Sequence, residues 1–252
     1  MTASLKDRVS PEEWQLRVDL AAAFRLVAHH GWDDLIFTHL SVRLPGPEHH
    51  FLINPFNLMF EEITASSLVK VDVNGEAVSE TPFLTNPAGF IIHSAIHMAR
   101  NDARAVMHLH TPHGQAVAAM ADGLMPLTQT AMLIRDELAY HHFEGVALDP
   151  GEQERLVADL GSKNAMILRN HGTLAVGHTV AEAFIRLYYL ERACEAQCLA
   201  LAGGPALLNH PPQGTPEKSA QQGRQYLSIL GEQLAWPALL RKAERLDPGF
   251  RG

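Results

Sequence analysis

Apolar residues recur at helical spacing in several long segments and form short uninterrupted runs between them. The helical spacing predicts helices over about 10–29, 89–99, 112–122, 149–161, 180–202 and 216–233. The short runs predict strands over about 36–43, 50–53, 68–73, 104–109, 132–134, 146–148, 165–168 and 173–176. Because strands and helices interleave without a strict βαβ rhythm, the pattern predicts an α/β fold in which helices cover both faces of a central mixed sheet.

Composition and charge narrow the class of protein. The chain has 252 residues, of which 46% are hydrophobic and 19% charged, enough for one large α/β domain with a sizeable core. We therefore expect a single domain over 1–252, with a helical extension over about 210–252. A net charge of −8 and the lack of a lysine- or arginine-rich run argue against nucleic acid or anionic lipid as a partner. A small molecule or a second copy of the chain is the expected partner.

The cysteines and the N-terminal residues indicate a compartment. Cys194 and Cys198 are the only cysteines, which excludes a disulfide framework and is typical of small core residues on one helix face. The first ten residues lack an apolar signal core, and no apolar run approaches the roughly 18 residues that span a membrane. We expect a reducing, cytoplasmic protein without a membrane segment.

The candidate chemistry lies where the fourth predicted strand ends. Side chains two apart in a strand share a face, with Cα atoms roughly 6.5–7 Å apart, so His108 and His110 would lie beside Val106 on one face. Such a pair also fits ordinary hydrogen-bonded histidines. The best third ligand is His171, because it follows the apolar run 165–168 and would also lie at a strand end. Three histidines with an open coordination position are typical of a catalytic zinc site.

The same histidine motifs carry a resemblance to a known family. The segments His108–Pro112 and Arg169–Gly172 resemble the class II aldolase/adducin family, which includes fuculose-phosphate and ribulose-phosphate aldolases. Four further segments look like the adducin head domain in particular, namely 51–56, 64–70, 88–96 and 181–184. The resemblance covers roughly Trp14 to Gly204.

The resemblance implies a three-layer αβα fold with a largely antiparallel sheet, commonly assembled as a homotetramer with the active cleft near a subunit boundary. It also implies one divalent metal ion, most readily zinc and otherwise manganese, cobalt or iron, held by His108, His110 and His171. One departure affects the chemistry, because the family's aldolases carry an acid/base glutamate about nineteen residues before the first histidine, where this chain has Gly89. The family's sugar-phosphate contacts also differ, since Asn57 and the pair 87–88 replace a glycine and two serines.

Three side chains are candidates for an acid or base. His93 lies one helical turn from His97 and falls within a matched motif, although a polar helix face explains the pair about as well. The segment 136–144 concentrates titratable side chains and is either a surface loop or part of the cleft. We predict His93, Glu137 and His141 as the catalytic candidates.

A three-histidine centre with an open position can bind a carbonyl oxygen and an adjacent hydroxyl or carboxylate oxygen, and can stabilise the enolate formed when a neighbouring carbon–carbon bond breaks. Decarboxylation needs no prior proton removal, so it depends less on the acid/base glutamate that Gly89 replaces. We therefore expect decarboxylation slightly ahead of aldol cleavage. The prediction is a metal-dependent carbon–carbon lyase acting on a small oxo- or hydroxy-acid. Two alternatives stay open, a non-haem iron oxygenase and a non-catalytic adducin-like interaction module that binds actin. The residues after 204 contain nothing like the basic tail of adducins, which counts against actin or membrane binding.

Overall fold

The computed structural model describes residues 4–85, 87–145 and 150–252. The helices of this part of the chain are α1 Pro11–His29, α2 Pro87–Ala99, α3 Pro112–Ala118, α4 Gln129–Ile134, α5 Pro150–Leu160, α6 Val180–Leu201, α7 Thr215–Ile229 and α8 Trp236–Leu246. The strands are β1 His39–Arg43, β2 Phe51–Ile53, β3 Val69–Val71, β4 Ala105–Leu109, β5 Leu138–His141, β6 Ala165–Leu168 and β7 Gly172–Gly177. None of these helices is long and apolar enough to cross a membrane.

The strands form one seven-stranded sheet in the order β3-β2-β1-β4-β7-β6-β5. The described pairs are antiparallel except for β5 and β6, which are parallel. This confirms the predicted α/β fold with a mixed, largely antiparallel sheet. Strand β4, which carries the first histidine, is the middle strand and is buried along its whole length.

Helices cover the sheet on both faces, and β4 shows how the sequence divides between them. Met107 and Leu109 belong to a core cluster with side chains of α1 and α6. Val106 belongs to a second cluster with side chains of α2 and α5. The alternation expected of a strand is therefore present, and it places His108 on the same sheet face as Val106, towards α2.

One predicted strand is wrong. Residues 132–134 belong to helix α4, which begins after Thr128, whose Oγ1 accepts a hydrogen bond from the backbone N–H of Ala131 (3.2 Å). The capping hydroxyl supplies a helix start that outweighs the strand propensity of this short apolar run. Strand β5 follows instead, within the titratable segment 136–144. The predicted strand 146–148, and residue 149 at the start of the fifth predicted helix, lie outside the described residues.

The last helical segment is longer than predicted. Helix α7 passes through a π-helical turn, Leu230–Ala235, into α8, which contains Pro237 near its first residue. Because proline has no backbone N–H, the altered hydrogen-bond spacing of a π-turn lets the chain continue where the sequence predicts a stop. The indole N–H of Trp236 donates to Asp19 of α1 (3.1 Å), which attaches this segment to the first helix.

Candidate metal centre

The central strand positions the first two histidines. His108 lies in β4 and is 2% exposed, while His110 directly follows the strand and is half-buried. Strands β1 and β7 flank β4 on either side, so its backbone is held by hydrogen bonds along both edges. The Nε2 atoms of the two rings approach to 2.9 Å.

The hairpin between β6 and β7 brings the third histidine to the same place. The backbone N–H of His171 donates to the carbonyl of Leu168 (3.0 Å), and Asn170 takes a φ of 56°, a left-handed conformation that asparagine tolerates better than most residues. A Cβ atom on Gly172 would lie 2.3 Å from the carbonyl oxygen of Leu109. Glycine therefore permits the close approach of β7 to the end of β4 that places His171 against the first two rings.

The three rings converge on one point, and we call His108, His110 and His171 the histidine cluster. One ring nitrogen from each residue lies within 4.8 Å of the others. The ring centroids are 4.6, 4.7 and 4.8 Å apart. A divalent ion with ligand bonds of about 2.0–2.1 Å brings its donor atoms within about 4 Å of one another, and three imidazoles this close together fit zinc or a similar ion with a further position open.

Hydrogen bonds outside the cluster orient two of the rings. The Nδ1 atom of His108 lies 2.9 Å from the backbone carbonyl of Thr173, which can only accept, so Nδ1 carries the proton and Nε2 presents its lone pair to the cluster. Asp34 Oδ2 lies 3.3 Å from His110 Nδ1 and accepts a hydrogen bond from it, so the Nε2 lone pair of His110 also faces the cluster. Carbonyl and carboxylate partners of this kind are typical of metal-binding histidines.

The electrostatic surroundings keep these histidines neutral. Burial, reinforced by the neighbouring histidines, lowers the pKa of His108 well below its usual value. Burial followed by the charges of His110 and His141 lowers the pKa of His171 to about 4. Burial also lowers the pKa of His110, although Asp34 opposes the shift. Neutral imidazoles at pH 7 are the form that binds a metal ion.

The loop before β1 is strained and supplies Asp34. Leu35 and Thr38 have φ angles of 53° and 69°, and positive φ is a genuine outlier for a β-branched residue such as threonine. Strand β1 therefore begins at His39, later than the predicted start at 36. Strain of this kind concentrates at functional sites, and here it occurs in the segment that contacts His110.

A buried carboxyl group on α6 connects two of the segments that carry the histidines. The hydroxyl of Thr111, which follows His110, donates to Glu191 Oε2, and the hydroxyl of Thr173 donates to Oε1. Thr173 is also the residue whose carbonyl binds His108. Burial raises the pKa of Glu191 to about 7, against the lowering effect of the two threonine hydroxyls. Glu191 thus links the segment that follows His110 to strand β7, which follows His171.

Replacing Glu191 by glutamine is expected to reduce the pH dependence of stability. The pKa in the folded protein, about 7, is above the reference value of 4.5, so the folded state binds more protons between these pH values. The corresponding stability is fully present below about pH 4.5 and is lost as the pH rises through about 7, a change of roughly 3 kcal/mol. Urea unfolding at pH 5 and pH 8 in the presence of a chelator measures it. Exposed Glu154→Gln is the control. If Glu191→Gln loses as much free energy of unfolding between pH 5 and pH 8 as the unmodified chain does, Glu191 is not the group that causes the loss.

The predicted catalytic residue His93 lies behind the cluster. It is fully buried on α2, and its two ring nitrogens approach His39 Nδ1 (2.8 Å) and Ser41 Oγ (2.6 Å). The structure brings it near the cluster only through His39, whose ring centroid is 5.3 Å from that of His108.

His141 lies at the other side of the cluster, at the end of β5. Its Nδ1 atom is 2.8 Å from Asp159 Oδ2, and its buried Nε2 atom has no hydrogen-bond partner among the residues that the structure describes. Its charge would lower the pKa of His171, which reflects the proximity of the two rings. Phe143, 52% exposed, contacts His171 on the same side, with ring centroids 5.9 Å apart.

The structure does not bring Glu137, the third predicted catalytic residue, to the cluster. It precedes β5, at the opposite end of that strand from His141. Arg186 Nε donates to its Oε2 atom (2.8 Å), and Asn164 Nδ2 donates to the same oxygen (3.1 Å). The two charged side chains are only 8% and 9% exposed. Glu137 therefore forms an internal ion pair with Arg186 of α6, because a buried carboxylate needs a neighbouring cation to compensate its charge.

Replacing Glu137 by glutamine is expected to destabilise the fold by about 2 kcal/mol without changing the metal content, because it removes one of the two carboxylates that neutralise the buried Arg186 guanidinium and leaves only Glu182, at 3.2 Å. Urea unfolding and elemental analysis of the same preparations test both statements. Glu217→Gln is the matched control, since it breaks a pair with Arg135 whose side chains are 63% and 44% exposed and should change stability little. Loss of metal with unchanged stability would restore Glu137 as a site residue.

Sequence reasoning missed three residues beside the cluster. His39 carried a usable signal, because the predicted strand 36–43 would place it on one face with Ser41. Asp34 and Glu191 carried none. Their neighbours in sequence do not mark them, and they reach the cluster only through packing between distant segments.

The fold and the site together define an α/β protein with a three-histidine candidate metal centre at the end of its central strand. Comparison with known proteins identifies the family. The sequence profile of the class II aldolase and adducin N-terminal domain matches residues 18–198. A putative aldolase class 2 protein of Caulobacter vibrioides is 55% identical over 249 residues, which are 99% of this chain and 96% of that protein.

Two further comparisons represent both branches of the family. L-fuculose 1-phosphate aldolase from Glaciozyma antarctica has a similar structure, with a TM-score of 0.82 at 29% identity over 100% of this chain and 96% of that one. Alpha-adducin of Rattus norvegicus is 46% identical over 195 residues, 75% of this chain but 26% of that longer protein. The chain belongs to the class II aldolase and adducin family, which confirms the resemblance seen in its motifs.

Proposed function

We propose that this protein is a metal-dependent carbon–carbon lyase that acts on a small oxo- or hydroxy-acid, by decarboxylation or aldol cleavage. The observation that carries the proposal is the convergence of His108, His110 and His171, with ligand atoms within 4.8 Å of one another. Membership of an aldolase family and the similarity to a solved fuculose-phosphate aldolase support a small-molecule substrate.

The residues of this chain would hold the metal and move the proton. A divalent ion, most readily zinc and otherwise manganese, cobalt or iron, would polarise a carbonyl oxygen when bound to the histidine cluster. Asp159 accepts a hydrogen bond from His141 Nδ1, which leaves the Nε2 atom, 3.9 Å from Glu152 Oε1 and without a hydrogen bond among the described residues, to accept or return a proton. His141 then takes the acid/base role for which Gly89 has no side chain, and His93 acts through His39.

Turnover of a metal-loaded preparation tests the proposal. The protein, purified without a metal-affinity tag, is loaded with zinc, manganese, cobalt or iron(II) and incubated with a panel of oxo- and hydroxy-acids. Carbon dioxide and carbonyl products are then measured. We expect turnover that needs the ion, is absent from His171→Ala, and falls mainly in kcat for His141→Asn. No release of either product by any loaded form would overturn the lyase proposal, and oxygen consumption by the iron form would favour an oxygenase.

The second candidate function is a non-catalytic interaction module, which the identity with alpha-adducin favours. Cosedimentation with filamentous actin distinguishes the two, with serum albumin as the control for trapping. Stoichiometric pelleting with actin would contradict our preference for an enzyme. We expect the chain to stay in the supernatant.

We further propose that the chain works in the cytoplasm as one domain over 1–252 within a homo-oligomer, a tetramer being usual in the family. Exposed apolar side chains beside the cluster support a subunit boundary there, since Leu35 and Phe143 are 62% and 52% exposed. Light scattering after size-exclusion chromatography measures the assembly. A monomer at micromolar concentration would contradict it.

A further inference from the structure

A chain of buried hydrogen bonds leads from α2 to the histidine cluster. His97 Nδ1 lies 2.7 Å from the carbonyl oxygen of Ala103, and His97 Nε2 lies 2.8 Å from Ser41 Oγ. Ser41 Oγ is 2.6 Å from His93 Nδ1, and His93 Nε2 is 2.8 Å from His39 Nδ1. The three histidines are 0–7% exposed, so these bonds lie in the protein interior.

The donor and the acceptor of every hydrogen bond in this series follow from the bond between His97 and the carbonyl of Ala103. A carbonyl oxygen can only accept, so His97 Nδ1 carries a hydrogen, and the Nε2 atom of a neutral His97 accepts from the Ser41 hydroxyl. Ser41 has then used its one hydrogen and accepts from His93 Nδ1. His93 Nε2 in turn accepts from His39 Nδ1, which leaves the Nε2 atom of His39 with a lone pair and no hydrogen.

The surroundings agree with neutral rings throughout the chain. Burial, followed by the charges of His110 and His171, lowers the pKa of His39 to about 3. Burial also lowers the pKa of His97 to about 3, against the effect of its hydrogen bond to Ala103. Burial, followed by the charges of His39 and His97, lowers the pKa of His93 well below its usual value.

His39 stands at the edge of the histidine cluster. It pairs in register with His108 across β1 and β4, so the two side chains share one face of the sheet, and their ring centroids are 5.3 Å apart. No hydrogen bond among the described residues uses Nε2 of His39. Nε2 of His39 is therefore the end of this series of hydrogen bonds at which a molecule bound at the cluster could donate a hydrogen bond.

We propose that His39 binds substrate by accepting a hydrogen bond at Nε2 from a hydroxyl group, and that Ser41, His93 and His97 are positioning residues that impose this tautomer. The inference rests on the proposed function, because it places the substrate at the histidine cluster. A nitrogen lone pair attracts an O–H donor and repels the oxygens of a carboxylate or of a phosphate-ester dianion, which offer only lone pairs. The substrate group that we assign to His39 is thus an uncharged hydroxyl and not an ionised phosphate.

The ring nitrogens report the tautomer directly. The zinc-loaded protein of 252 residues, labelled with nitrogen-15, is studied by long-range proton–nitrogen NMR at pH 7, with ring signals assigned through bonds to the backbone. We expect His39, His93 and His97 all to carry the hydrogen on Nδ1 and none on Nε2. A hydrogen on Nε2 of His39, on a neutral or a charged ring, would overturn the inference. The unmodified protein answers this question, so no variant has to fold.

Binding of small probes tests the selectivity. Hydroxyacetone should shift the Nε2 signal of His39 without changing the tautomer, whereas acetone, which has the carbonyl but no hydroxyl, should not. Ser41→Ala should weaken hydroxyacetone binding roughly tenfold, and exposed His178→Ala should leave it unchanged. Equal shifts with both probes, no shift with either, or double protonation of His39 by inorganic phosphate would contradict it. None of these measurements needs turnover, so an inactive protein that passes them refutes only the lyase proposal, and an active one that fails refutes only the role of His39.

Discussion

Replacement of His171 by alanine is expected to remove the metal from the protein while the sheet stays folded. The side chain supplies one of the three donors of the cluster and lies on a hairpin whose backbone bonds do not depend on it. Loss of a ligand should weaken metal binding by at least about 100-fold, more than the loss of an outer hydrogen bond to a ligand. The unmodified chain is expected to hold near one ion and His171→Ala very little, with loss of any lyase activity.

Elemental mass spectrometry on protein purified without a metal-affinity tag measures this. His178→Ala is the matched control, because His178 is an exposed histidine just beyond the far end of β7. If His171→Ala retains its ion, the cluster is not the metal site. If neither protein holds metal after divalent ions are added back, the three-histidine argument fails and the adducin-like scaffold becomes the better account.

The substitution Gly172→Ala is expected to have the second largest effect, a loss of roughly 3 kcal/mol in the free energy of unfolding. A Cβ atom there would meet the Leu109 carbonyl oxygen at 2.3 Å and the His110 ring at 3.1 Å. Because the obstruction is a backbone atom at the end of the β4–β7 ladder, the two strands must separate there. The ring nitrogens of His108 and His110 would then move relative to His171, so metal binding should weaken as well.

Urea unfolding with and without added zinc separates the two parts of this prediction. Gly203→Ala is the control, since a Cβ atom on Gly203, just beyond helix α6, meets nothing closer than 3.7 Å. Equal stability of Gly172→Ala and Gly203→Ala would show that the β4–β7 contact adapts more easily than its geometry indicates.

The ligands of the candidate metal centre could be predicted because each depends on local pattern. A period of two places His108 and His110 on one side of β4, and the short apolar run 165–168 places His171 at a strand end. The helix α4 could not be predicted in the same way. Its apolar run, 132–134, is too short to show a period, and the cap at Thr128 decides its structure.

Local sequence was therefore sufficient for six of the seven described strands, for most of the helices and for the three histidines, since hydrophobic period and strand ends are properties of adjacent residues. Polar side chains around the site depend on packing between distant segments. Glu137 pairs with Arg186, 49 residues away, and Glu191 binds Thr111, 80 residues away. A buried polar group is stable only with a partner, and which partner comes within reach is settled when the sheet and helices assemble. For this reason Asp34 and Glu191 could be placed beside the metal centre only from the folded structure.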